Sequence, residues 1–488
     1  SKQRSLFLGI ERKSKNMTNQ FRVLIGFENT KLSWDGIAFE NIDNRRNRIS
    51  TNTADLFTDN FLQQIYSLNT MFTFRNFHLR NVSYLVLGSG YYEVKKLGRD
   101  FYTYNLDKYD IYTDLQEKSL TTDLLRRKWI KNNYYGLIPT LTWDKNIIRF
   151  DLGAEIRFYS GDHFGEVKDF SDPALISDLG EGWYRYYRYV GRKNSITGFA
   201  HLAWSPDNAP FVIMADIQTQ NHYWNLKQDV IVHGEGHKLQ ADWNFINPRL
   251  GMVVHMGDSL FWFINYGKAQ KEPADNQIIN ADDVWSEPIL AAAEVINDWE
   301  MGINITFGKG HGSINYYRIN YLNEQLKNID VKQEVEYEYY AADSTIHQGV
   351  EWEFSHVFNS RLSLEANGAL QMNNYTNGNS LPNSPASLFN LILNYSFHPD
   401  LQFMAHLKTI GQTYIDDLNR EEAMIKPYSL MDLGARLRWN DLELTLKINN
   451  IFNRLYSTYG YGYEANGFQS FYWPGATRNA YLSIMYKL

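Results

Sequence analysis

The densest run of side chains able to grip a bulky ligand is Trp183-Tyr184-Arg185-Tyr186-Tyr187-Arg188-Tyr189. Tyrosine and tryptophan offer large, rigid faces that lose little conformational freedom on binding, and a guanidinium is attracted to a ring face. Trp183, Tyr184, Tyr186 and Tyr187 are therefore binding candidates. The plainer alternative is an interfacial strand end with Tyr pointing out and Arg pointing in. A second aromatic stretch, Tyr459-Gly460-Tyr461-Gly462-Tyr463, precedes Phe468–Trp473. Its glycines let a loop fold over and Tyr459, Tyr461 and Tyr463 can stack on a ligand. Packing against a neighbouring loop fits the same pattern. His233 and His237 flank Gly234 and Gly236. Zinc would need a third ligand and helical spacing, so a solvent-facing pair is the expectation and no metal is assigned. Gly308-Lys309-Gly310-His311-Gly312 lacks the spacing of a phosphate-binding loop. Ser, His and Asp are scattered over separate segments, so no nucleophile–base constellation marks an enzyme and no cofactor is expected.

The elements that would position these residues are strands. The chain has no cysteine, which removes disulfides, thiolate metal sites and Cys nucleophiles together. A formal charge of −7 gives no reason to expect nucleic acid. Aromatics reach 15%, with 34 Tyr and 13 Trp, and these residues favour a boundary between dry and wet surroundings. No run of 18 apolar residues exists, so no transmembrane helix is expected. The mean hydropathy of −0.45 looks soluble, but a transmembrane barrel with a polar lumen gives the same value. The sequence opens Ser1-Lys2-Gln3, without Met or a signal-peptide pattern, so a processed, cleaved or truncated start is expected.

Alternation is clearest late in the chain. Leu401, Phe403, Ala405 and Leu407 oppose Gln402, Met404, His406 and Lys408; Met431, Leu433, Ala435 and Leu437 oppose Asp432, Gly434, Arg436 and Arg438. Successive strand residues face opposite sides, so each segment has an oily and a wetter face. Strand candidates come in hairpins with tight turns, such as Asn359-Ser360, Pro399-Asp400 and Asp441. Between hairpins run long links: 30–61, 93–128, 160–193 and 272–294. Short turns on one rim and long loops on the other predict an all-β, large antiparallel transmembrane β-barrel over residues 1–488, with about nineteen strands. Trp129, Trp143, Trp204, Trp224, Trp243, Trp262, Trp299 and Trp439 fall near expected strand ends, as an aromatic girdle requires. Glu365, His406, Lys408, Arg436, Arg438, Glu443 and Lys447 should line the lumen.

Several stretches resemble the barrel of TonB-dependent outer-membrane receptors. They are Ile246-Asn247-Pro248-Arg249-Leu250-Gly251, Tyr266–Pro273, Asn297–Gly302, Ile314–Tyr321, Leu381-Pro382-Asn383-Ser384-Pro385, Gly411–Asp417 and Asn449-Asn450-Ile451-Phe452-Asn453-Arg454-Leu455-Tyr456. Ser33-Trp34-Asp35-Gly36 and Gly88–Glu93 are similar to the Bacteroidetes branch. Lys271 stands where the family more often has Arg, and Leu488 replaces the commoner terminal Phe. The resemblance implies a 22-strand barrel filled by an N-terminal plug, so the plug and about three first strands would be absent from this chain. Glu365, His406, Lys408, Arg436, Arg438 and Lys447 would then face the plug. It also implies an outer-membrane location among lipid and lipopolysaccharide, and a partner complex of TonB, ExbB and ExbD acting through the plug. The expected function is binding and import of a scarce nutrient, of siderophore, haem or cobalamin type. A passive channel and a structural barrel, docked to a surface lipoprotein or another assembly partner, are the alternatives, with a 19-strand mitochondrial-type porin as the odd-strand rival.

Overall fold

The computed structural model describes residues 2–31, 36–48, 57–106, 121–172, 175–176, 179–230, 236–280, 287–289, 291–330, 336–464 and 467–486. One sheet of nineteen strands dominates it. In chain order these are β1 (Lys2–Lys13), β2 (Met17–Lys31), β3 (Phe57–Phe74), β4 (Phe77–Asp100), β5 (Thr121–Lys145), β6 (Ile148–Lys168), β7 (Tyr184–Trp204), β8 (Phe211–Val230), β9 (Lys238–His255) and β10 (Leu260–Lys271). There follow β11 (Glu294–Phe307), β12 (Gly310–Asp330), β13 (Glu336–Val357), β14 (Leu362–Tyr375), β15 (Ser387–His398), β16 (Leu401–Ile410), β17 (Tyr428–Trp439), β18 (Leu442–Asn449) and β19 (Asn479–Tyr486).

Each strand pairs antiparallel with the next, from β1 with β2 to β18 with β19. Among the described residues no ladder joins β19 to β1, so these two are the sheet's edges. Among the described residues no helix is long and apolar enough to cross a membrane. Leu401↔Leu437 and Phe403↔Ala435 share one face, while Gln402↔Arg436 and His406↔Asp432 share the other. Phe403, Leu433 and Leu437 are exposed, because their face meets no protein. An apolar face left open on a curved sheet is what lipid covers. On one rim the turns are tight. Asn440 sits at φ 51°, a left-handed conformation that Asn tolerates, and lets β17 turn into β18.

The strands of the first half run farther than the alternation predicted. β4 continues to Asp100 and β5 starts at Thr121, inside a stretch expected to be loop. β6 and β7 likewise extend to Lys168 and back from Tyr184. Beyond the lipid zone both faces of a strand meet polar or loop surroundings, so the two-residue hydrophobic rhythm fades while the ladder persists. Two tryptophans also leave the expected girdle. Trp224 is buried on the inner side with Trp243 packed against the same cluster, because long loops fold inward over that part of the wall.

Candidate ligand-binding site

Two aromatic-rich regions stand at the long-loop rim, and they are built differently. The first is the high wall of β4–β8. Here residues 101–106, the side chains of Phe170, Leu175 and Leu179, and the short helix Asp275–Ile278 pack on the inner strand faces. Phe101, Tyr104, Leu106, Phe170, Leu175, Ile278 and Ile279 join Tyr186, Tyr187, Tyr189 and Trp224 in one core. Tyr186 and Tyr187 are each only 2% exposed. Neighbours in a strand normally face opposite sides. An irregularity in the β6–β7 register between Gly165 and Glu166, opposite Tyr187 and Arg185, lets both turn inward. Tyr104 meets Tyr186 edge to face at 5.0 Å, and Asn105 Nδ2 donates to the Tyr186 carbonyl at 2.7 Å. Tyr184 Oη donates to the Asn105 carbonyl at 3.2 Å.

Trp183 stands apart from this core, with the Arg127 guanidinium 4.2 Å and the Lys168 ammonium 5.0 Å from its ring centroids. The alternative orientation, Tyr out and Arg in, is reversed: Arg185 reaches Glu166 at 2.9 Å on the outer face. The loop carrying the short helix is tied down by ions as well. Glu272 pairs with Lys193, lies 3.6 Å from His222 Nε2, and Asp275 accepts from Trp224 Nε1 at 2.7 Å. Burial pushes the Glu272 carboxyl up, but the Lys193 contact outweighs it and holds the group below its ordinary range.

The second region is the hairpin Ser457–Glu464 and Phe468–Pro474, which lies between β18 and β19. Ile37–Ala38 adds a third strand to it, from the link between β2 and β3. One hairpin face packs down. Tyr472 is buried with Ile415, Ala423, Ile425 and Tyr428, and its hydroxyl donates to the Glu422 carbonyl at 3.3 Å. Gly460 lies on this face because a side chain there would meet Ile415 Cγ2 and the Phe471 carbonyl at 2.9 Å. Asn383 clamps the same glycine, donating to its carbonyl at 3.0 Å and accepting from its N–H at 3.1 Å. Arg45 and Arg48 donate to the carbonyls of Asn453 and Tyr456, at 2.8 and 2.6 Å.

The other face is a row of rings. Tyr459 pairs with Trp473 at 5.1 Å, Tyr461 stacks on Phe471 at 5.2 Å, and Tyr463 stacks on Phe471 at 5.7 Å. Tyr461 also contacts Trp473 at 5.3 Å. Alternation forces this segregation: residues 459, 461 and 463 share a side, and 471 and 473 oppose them. Tyr459 is 41% exposed. Burial raises the hydroxyl pKa of Tyr459 and Tyr463, so both stay neutral. The row thus offers broad π faces and neutral hydroxyls to a ring-bearing ligand.

The expected lumen residues share the inner face and meet lateral partners. Arg436 contacts Gln402, Arg438 reaches Glu443 at 2.8 Å, and His406 lies 3.2 Å from Asn390 and 3.9 Å from Asp432. Lys408 faces Asn390 and Leu430 across its two ladders, and Lys447 faces Gly434 and Tyr481. Glu365 lines a cavity of about 440 Å³ near the short-turn rim with Lys309, His311 and Glu353. Residue 233 lies outside the described residues. His237 bonds through its backbone to Gln228, at 3.0 Å. Among the described residues no group of three metal-ligating side chains comes together.

A polar-lined sheet of this size, apolar outside and looped at one rim, has counterparts. A family model described as "TonB dependent receptor-like, beta-barrel" matches residues 11–451. The chain belongs to the TonB-dependent receptor β-barrel family. Solved structures agree on the fold. The ferric-catecholate import receptor Fiu from E. coli K12 is 15% identical with a TM-score of 0.71, over 98% of this chain and 73% of that one. The ferric yersiniabactin uptake receptor FyuA from Yersinia pestis is 12% identical with a TM-score of 0.73, over 99% and 71%. The ferric citrate transporter FecA is 14% identical with a TM-score of 0.76, over 99% and 70%. No curated protein matches the sequence. As a member of this family the receptor is an integral outer-membrane protein that imports a nutrient, and it is not an enzyme. The family also implies a plug domain and interaction with TonB. The long-loop rim is accordingly the extracellular one.

Sequence reasoning grouped Tyr184–Tyr187 with Tyr459–Tyr463, and the structure separates them. It missed Asn383 and Asn105 as organisers. Both occupy left-handed backbone, φ 57° and 56°, and an Asn–Ser–Pro or Tyr–Asn–Leu triplet gives only a faint sign of that.

Proposed function

We propose that this receptor captures an iron-chelate nutrient, of siderophore or haem type, on the ring row of the 457–474 hairpin. Energy from TonB, with ExbB and ExbD, would then draw it inward. The observation that carries this reading is the row itself: Tyr459, Tyr461, Tyr463, Phe471 and Trp473 share the hairpin face that does not pack down. The ferric complexes named for three structural neighbours support the ligand class. Tyr184, Tyr186 and Tyr187 act one step removed, by holding the loops packed on the inner face of the high wall, and Trp183 stands beside Arg127 and Lys168.

The lumen fits a folded plug, whose polar groups would meet Glu365, His406, Lys408, Arg436, Arg438 and Lys447. Further strands pairing with β1 and β19 would close the sheet. Support comes from the edges, where Leu6, Phe7, Leu8 and Ile10 on β1 and Leu482 and Ile484 on β19 are exposed. Binding of ferric catecholate, ferric citrate and haem to purified receptor tests the reading, alongside growth of the gene-deleted strain on each as sole iron source. Tyr461→Ala combined with Trp473→Ala should weaken the preferred chelate on the order of ten-fold or more, since buried aromatic anchors dominate binding. Binding and growth unaffected by either the substitutions or the deletion would sink it.

A further inference from the structure

The ring row of the closing hairpin carries no charge, and the arginines around it are already engaged. Burial alone raises the hydroxyls of Tyr459 and Tyr463; no charged group acts on either. Arg45 and Arg48 are held by the Asn453 and Tyr456 carbonyls. Arg454 donates to the Pro427 carbonyl at 3.0 Å and Arg478 to that of Ile451 at 3.4 Å. Arg420 pairs with Asp416 at 3.1 Å and with Glu464 at 2.7 Å, its guanidinium 4.4 Å from the Phe468 centroid. Arg46 and Lys426 remain, on segments whose Ile42 and Ile425 meet the packed face, away from which the rings turn. Lys408 and Lys447 lie deeper, on β16 and β18, and Lys408 stands two residues from Ile410 beneath that packed face.

The wall that the hairpin reaches is acidic. The backbone of Ser457–Glu464 comes within 8 Å of β12, a strand well removed from β18 and β19 in the sheet order. On β11 the outer positions hold Trp299, Met301 and Ile303, all exposed, so Asp298 and Glu300 face the lumen. On β13 Val350 faces out and Glu351 faces in. The ladders set Glu300 beside Tyr317 and Glu351 beside Asn315, so carboxylates flank β12 on both sides. Asp298, Glu300 and Glu351 make no ion pair or hydrogen bond among the described residues, and Asp298 Oδ1 is shielded from water as well. Arg249 on β9 attracts Asp298 without pairing with it. No Lys or Arg with a described side chain stands at an inner position of β11–β13.

An anion moved from water onto an uncharged, half-buried surface loses hydration that nothing there replaces. Carboxylates on the facing wall add like-charge repulsion. Ferric chelates differ in charge by the chemistry of their arms. Three singly charged hydroxamates neutralise ferric iron, whereas three doubly charged catecholates leave a trianion. A pendant ammonium makes the hydroxamate complex a cation, which ring faces attract.

We propose that the ring row selects an uncharged or cationic ferric chelate of the tris-hydroxamate class, with Asp298 and Glu300 opposing anionic catecholate, citrate and haem complexes. The inference rests on the ring row being the capture site and names the ligand class that fits it.

Equilibrium binding to the purified receptor tests it with ferrioxamine B, ferrioxamine B succinylated on its amine, ferric enterobactin, ferric citrate and haem. Ferrioxamine B should bind tightest. Succinylation exchanges the ammonium for a carboxylate and leaves the iron core alone, and should weaken binding about ten-fold or more. D298N combined with E300Q should shrink that difference to about three-fold or less while ferrioxamine B stays bound, a pattern that loss of fold does not give. Heat-modifiable gel migration checks folding, and the charge series on the unaltered receptor decides the preference without any variant. A succinylated form that binds as well as its parent, or an anionic complex that binds tighter, overturns the charge preference; if Y461A/W473A still weakens that complex, the ring row stands as capture site. A difference unchanged in D298N/E300Q overturns the part given to the acidic wall. Binding indifferent to Y461A/W473A, or no binding of any of the five, overturns the ring row and the preference with it.

Discussion

The high wall and the closing hairpin carry similar aromatic sequences and use them in opposite ways. Along β7, Tyr186, Tyr187 and Tyr189 turn inward and are sealed beneath three loops. On the hairpin, Tyr459, Tyr461 and Tyr463 turn away from the packed face and line up with Phe471 and Trp473. Composition does not separate the two cases. What separates them is which residues occupy the alternate positions. Gly460 and Tyr472 give the hairpin a side that packs closely on the 411–427 loop, so its remaining rings point elsewhere. In β7 the alternate positions hold Arg185 and Arg188, which take the outer face and leave the tyrosines inside. An aromatic run becomes a surface or a core according to what stands between its rings.

The largest test of that difference is Tyr104→Ala. It removes a fully buried ring that meets Tyr186 edge to face, and should cost about 3–5 kcal/mol of loop docking. Limited proteolysis should cut residues 101–106 first, and an unchanged cleavage pattern would contradict a sealed core. Gly460→Ala comes next. Its new methyl would press on Ile415 and the Phe471 carbonyl, lifting the hairpin at about 1–3 kcal/mol. Hydrogen exchange should accelerate in 457–474 and stay slow in 184–189. Asn383→Ala should act in the same place but more gently, about 1–2 kcal/mol, by deleting two hydrogen bonds to Gly460.

The smallest effect concerns acid, and its sign differs between the regions. Glu272, anchoring a high-wall loop, lies below its ordinary value of 4.5. A depressed carboxylate contributes stability above its unfolded pKa, which is lost as pH falls through the folded one. Asp416 lies beneath the hairpin, bonded to the Arg420 N–H at 3.2 Å and to its Nη1 at 3.1 Å. Burial dominates there and raises it above its ordinary 3.8 despite Arg420. A raised carboxyl is better tolerated neutral, so docking around it tightens as pH falls through that raised value. Lowering pH from 6 to below about 4 should therefore speed exchange near 272–280 and slow it near 413–425. Parallel behaviour in both segments would refute the assignment.

The late hairpins, the tight turns and the alternation along Leu401–Ile410 and Tyr428–Trp439 were legible because each strand there has one oily and one polar side. Legibility failed where that contrast ends. Beyond the lipid, β4–β8 meet loops on one face and water on the other, so neither their length nor the fate of Trp224 on β8 and Trp243 on β9 shows in the residue pattern. The Asn449-Asn450 motif was visible, but its work was not. Asn450 sits at φ 50°, its N–H donates to Asp432 at 2.7 Å, and its side chain bonds Arg454 and Ala476 at the start and end of the last loop.

By itself, then, the sequence determined the barrel, its lipid and lumen faces and its two unlike rims. These follow from alternation and turn chemistry, which act over a few residues. Only the tertiary structure decided which aromatic stretch is displayed and which is buried. It also decided that Ile37–Ala38 braces the hairpin from over 400 residues away (471 against 38). Those outcomes depend on which loops fold over which wall, and such contacts join segments that carry no local sign of each other.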